Sequence, residues 1–122
     1  MIVAQSPRHR LWIALAWLGV AVVVVGSLIP VTQDGLAEGQ DKLVHAAMYG
    51  ILMGCFCRAY PDRRRWAAWA GGLIALGVVL EFLQGWTGTR SCDPWDMLAN
   101  GSGVAAVWLG LGLQGMGEKK RP

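Results

Sequence analysis

Arg90-Ser91-Cys92-Asp93-Pro94-Trp95-Asp96-Met97-Leu98-Ala99-Asn100-Gly101 sets a cation, two carboxylates and an amide at the head of a strongly apolar segment. Charged side chains inside or beside an apolar span cost about 3 kcal/mol each on insertion scales, so they face a bundle interior and mark function. Within the stretch, Pro94 suits a first helical position and Asp93 the cap before it. Asp93, Asp96 and Asn100 recur at three and four residues, which makes them one polar stripe once a helix starts. Capping is complete within the first turn. Asp96 and Asn100 would therefore stand unpaired in lipid if they faced outward, and they are expected to turn inward.

The surrounding chain supports an apolar setting. Of 122 residues, 54% are hydrophobic and 16% charged, and mean hydropathy is +0.39. That departs from the soluble balance, and the length fits one domain, residues 1–122. Seven Trp residues suit the belts found at membrane interfaces. The net charge of +3 comes from short basic blocks between apolar runs, without the aromatic interleaving of a nucleic-acid surface, so a nucleic-acid partner is excluded. Cys55, Cys57 and Cys92 match neither a zinc spacing nor a thioredoxin-type motif. The first two read as small core hydrophobes and Cys92 as a loop residue.

Four apolar segments are long enough to cross a bilayer, at about residues 11–29, 42–60, 66–86 and 95–113. A cleaved signal peptide is the competing reading of the first, but no Ala-x-Ala site follows it. Lys and Arg gather in the lead, in the loop between the second and third spans, and in the tail, the pattern that basic residues adopt on the cytoplasmic side. The expected fold is all-α: an integral membrane four-helix bundle with short loops, both ends cytoplasmic, multi-pass in the cell inner membrane.

This topology brings the polar residues to one outer face. Asp41, Lys42 and His45 open the second span, with Tyr49 one turn deeper. Glu81 and Gln84 close the third, and Arg90, Asp93, Asp96 and Asn100 open the fourth. At about 1.5 Å rise per residue, Glu81 lies roughly 8 Å inside Trp86, so the site is shallow.

His45 is suited to act as base, acid or nucleophile near neutral pH, and Glu81, the most deeply placed acid, to proton transfer or to a pair with Arg90. Each has a structural alternative: a histidine bonded to a neighbouring helix, a Glu–Arg tie, a snorkelling Lys42, a capping Asp93. Gly50 and Gly54 on the second span, with Gly101 and Gly103 on the fourth, favour close helix approach or a homo-oligomer. Asn100-Gly101-Ser102 has the form of a glycosylation sequon, but its depth in the membrane argues against that use.

The chain resembles the VanZ-like membrane proteins, a family named for a glycopeptide (teicoplanin) resistance determinant. The resemblance rests on Asp41-Lys42-Leu43-Val44-His45 with Tyr49, on Glu81-x-x-Gln84, and on Arg90-x-x-Asp93-x-x-Asp96-x-x-x-Asn100 with Gly103, within residues 27–113. It implies a membrane enzyme acting on the headgroup of a lipid or lipid-linked cell-envelope precursor, with a role in antibiotic resistance. Catalysis would fall to His45, Glu81 and Asp96. Lys42, Arg90, Asp41, Tyr49, Gln84, Asp93 and Asn100 would bind substrate on the extracytoplasmic side.

No cofactor is expected. A divalent cation held by His45, Asp93, Asp96 and Glu81 is a lesser alternative. A non-catalytic lipid or glycopeptide binder, or a structural subunit with an internal ion-pair network, stays open beside the enzyme.

Overall fold

Four helices carry the chain: α1 (Pro7–Leu28), α2 (Gln40–Ala59), α3 (Trp66–Thr87) and α4 (Pro94–Lys119), with a single 3-10 turn, Arg63–Arg65, before α3. The structure, a computed structural model, describes residues 6–29, 40–88 and 92–119, and no strand occurs among them. The protein is all-helical.

Local chemistry sets the helix limits. Ser6 accepts a hydrogen bond from the His9 amide at 3.2 Å, and Pro7 occupies the first turn, so α1 starts there. It ends at Leu28, shortly before Pro30 in the sequence. The Arg64 amide donates to Asp62 Oδ1 at 3.1 Å and holds the 3-10 turn. Helix α3 stops at Gly88, whose φ of +73° places it in the left-handed region that glycine enters without strain. Asp93 caps α4 by accepting the Trp95 amide at 2.9 Å, with Pro94 opening the helix as expected. Helix α4 runs beyond Leu113 to Lys119, because the chain meets no proline before Pro122.

Helices α2 and α4 form the most extensive pairing. Glycine makes it: a methyl on Gly103 would strike the Ala46 carbonyl oxygen, and one on Gly50 would meet the Gly103 carbonyl at 3.3 Å. The glycines thus serve contact within the chain. Tyr49, Met53, Phe56, Leu73, Leu80 and Val104 form the buried centre between α2, α3 and α4. Helix α1 lies against α2 and buries only Ala16 and Val23.

Among the described residues, two helices are long and apolar enough to cross a membrane: α1, and α3 with its preceding turn, Arg63–Thr87. The sequence led us to expect four. Helix α2 dilutes its apolar residues with Lys42, His45 and Arg58, and α4 with Asp96, Asn100 and a run of glycines.

Candidate functional site

One end of the bundle brings together Lys42, His45, Glu81, Asp93 and Asp96. His45 comes from the second turn of α2, Glu81 from the last two turns of α3 and Asp96 from the first turn of α4. Ligand-type atoms of the three lie within 4.8 Å of one another. Glu81 is 3% exposed and Asp96 9%, while His45 is half-buried toward the bundle end.

Lys42 bridges two acids. Its Nζ donates to Asp93 Oδ2 at 3.2 Å and to Asp96 Oδ1 at 3.4 Å. Both Lys42 and His45 have further interactions beyond these. The Asp93 amide in turn donates to Glu81 Oε2 at 3.1 Å, so the loop entering α4 is fastened to α3. Asp93 titrates below the usual carboxylate range, chiefly because it accepts the Trp95 amide and next because of its bond to the Lys42 ammonium.

A second layer lies one helical turn deeper. Tyr49 follows His45 by four residues, Asn100 follows Asp96 by four, and Gly77 precedes Glu81 by four. The three meet: a methyl on Gly77 would come 3.1 Å from Asn100 Nδ2 and 3.4 Å from the Tyr49 ring. Gly77 leaves room for the amide. Asn100 is 3% exposed, and its Oδ1 finds no hydrogen-bond partner among the described residues.

No family model matches the chain, and no curated protein or solved structure is detectably similar to it.

The expected site residues take different places. His45, Glu81 and Asp96 converge, Lys42 and Asp93 form their rim, and Tyr49 and Asn100 their floor. Gln84 is buried but directed elsewhere: its Nε2 donates to the Ser27 carbonyl at 2.9 Å and ties α3 to α1. Asp41 falls in the first turn of α2 with its side chain outside the described set, and Arg90 lies outside the described residues altogether.

Sequence reasoning missed Gly77, whose role depends on the register between α3 and α4. It also missed the far end of the bundle, where Tyr60 stacks on Phe56 and Trp69 and Trp17 meets Phe56 and Trp69 edge-on, with ring centroids 4.7–6.1 Å apart. A Trp and Tyr count cannot show which rings meet.

Proposed function

We propose that the chain is a multi-pass membrane protein of the VanZ-like kind. Its His45–Glu81–Asp96 site would act on the phosphate-bearing headgroup of a membrane lipid or lipid-linked envelope precursor, by hydrolysis or transfer.

The observation that carries this is the convergence of the imidazole and two buried carboxylates, one from each of three helices, within 4.8 Å. The surroundings favour lipid. Large apolar side chains are exposed on all four helices, including Leu18 and Val22 on α1, Leu43 and Ile51 on α2, Val79 and Phe82 on α3, and Leu98 and Leu113 on α4. A soluble protein rarely leaves such continuous apolar surface open. Trp86, 85% exposed, and Trp95, 66% exposed, flank the site end, the position of an interfacial belt. With the arginines at the opposite end, the positive-inside pattern directs the site outward.

In this reading His45 is base or nucleophile, Asp96 orients it, and Glu81 donates or accepts a proton. Lys42 and Arg90 hold phosphate oxygens, as ammonium and guanidinium groups do. Purified protein in liposomes carrying phospholipid or a polyprenyl diphosphate should release or transfer the headgroup, and His45→Ala should abolish this in a folded protein. Binding of these lipids without any turnover sinks the enzymatic reading.

The Lys42 bridge to Asp93 and Asp96 favours a second reading, a structural ion-pair network. There, His45→Ala and Asp96→Asn would chiefly lower thermal stability.

A further inference from the structure

We propose that His45, Glu81 and Asp96 bind one divalent transition-metal ion, Zn2+ or Mn2+, over the polar floor made by Asn100. The inference goes beyond the headgroup reading and is testable with the metal alone.

The donor set points to the class of ion. One imidazole and two carboxylates suit borderline transition metals, whereas Mg2+ and Ca2+ prefer oxygen alone. Ligands about 2.1 Å from one ion stand at most about 4.2 Å apart, so three atoms within 4.8 Å need only a side-chain adjustment to close on it. Each ligand comes from a different helix, and three protein ligands leave a position for water or a substrate oxygen.

Charge points the same way. Among the described residues, Asp93 and Asp96 share the Lys42 ammonium, while Glu81 accepts the Asp93 amide. Glu81 and Asp96 are both buried residues, where excess negative charge is costly. Lys42 does not compete for every oxygen: it contacts Asp96 through Oδ1 and leaves Oδ2 available. Asp93 is drawn away by its cap and by Lys42, so it belongs to the rim and not to the ligand set.

The floor supplies an independent sign. Asn100, one turn beneath Asp96, turns its Nδ2 toward the Gly77 gap under Glu81, and its buried Oδ1 has no partner among the described residues. A buried carbonyl oxygen left unbonded is destabilising, and a water held by the ion would satisfy it.

The test is titration of chelator-stripped, full-length protein in detergent micelles with Zn2+ and Mn2+ by calorimetry. One ion per chain is expected. His45→Ala, Glu81→Gln and Asp96→Asn should each weaken binding at least about tenfold, and Asn100→Leu by less. Asp93→Asn should stay within about threefold of the parent. Glu81→Gln and Asp96→Asn preserve side-chain shape, and His45→Gln replaces the alanine variant if that one fails to fold. Loaded with Co2+, the parent should show visible absorption bands that His45→Gln alters. Substoichiometric uptake, an adventitious ion only, or variants that bind like the parent overturn the proposal. Metal binding without headgroup turnover defeats only the enzymatic reading, and turnover in fully stripped protein without metal binding defeats only this one.

Discussion

The two ends of the bundle solve the same burial problem in opposite ways. At the arginine-rich end, Trp17 Nε1 donates to the Tyr60 hydroxyl at 2.8 Å and Trp66 Nε1 to the Tyr60 carbonyl at 2.9 Å. Arg58 and Arg63 lie over the rings of Trp12 and Trp66. Neutral rings stack there, and the charges stay on the surface. At the other end, carboxylates and an imidazole are drawn inside. Each end leaves one buried polar atom without a partner among the described residues, Trp69 Nε1 at the first and Asn100 Oδ1 at the second. An indole N–H among stacked rings is a small, isolated cost. The unbonded Asn100 carbonyl lies one turn beneath three ionisable groups, so packing dominates the aromatic end and the candidate site occupies the ionic one.

The largest effect that could break this division is on folding. Phe56→Ala, at a ring 1% exposed, should lower unfolding free energy in detergent by about 3–5 kcal/mol. Glu81→Gln, measured in chelator, should stay within about 1 kcal/mol of the parent or exceed it, because it removes a buried charge beside two other acids. Equal losses at both ends would end the distinction.

Gly103→Ala tests the seam that joins them. Its methyl would strike the Ala46 carbonyl oxygen, and the overpacking should cost about 1–3 kcal/mol by the same unfolding measurement. A stable variant would show that α2 and α4 can separate without loss.

Smaller effects sharpen the picture. Gln84→Leu removes the donor to Ser27 and should cost about 1 kcal/mol in thermal unfolding, with metal affinity retained if Gln84 only ties helices. The weakest effect is on acid stability. Asp93 has its carboxyl held below the ordinary value of 3.8, so the folded state favours the ionised form. Its contribution is present above that value and is lost as pH falls through the lower folded one. Asp93→Asn should therefore flatten the acid limb of a stability-against-pH curve, and an unchanged limb would remove Asp93 from the rim.

Much of this was legible in the sequence. Helix number follows from the apolar runs, and the Asp93 cap and Pro94 start follow from local chemistry. The four-residue steps from His45 to Tyr49 and from Asp96 to Asn100 place the two layers. What remained hidden depends on helix register. Gln84 reads like a companion of Glu81 from spacing, yet it turns to Ser27 because α1 lies on that side. Lys42 could have faced headgroups, yet it takes Asp93 and Asp96. Membrane crossing is supported unevenly: among the described residues α1 and α3 qualify on composition, while polar and glycine residues dilute α2 and α4.

Helix α1 has a consequence in time. Among the described residues, hydrogen bonds from Trp17 to Tyr60 and from Gln84 to Ser27 join α1 to residues 43 and 57 positions away. A ribosome finishes α1 well before either partner exists. In the membrane reading, the helix waits for α2 and α3 in the bilayer during synthesis, and its mean hydropathy of 2.4 with little buried face equips it for that interval. Of the four helices, the one made before the others needs them least.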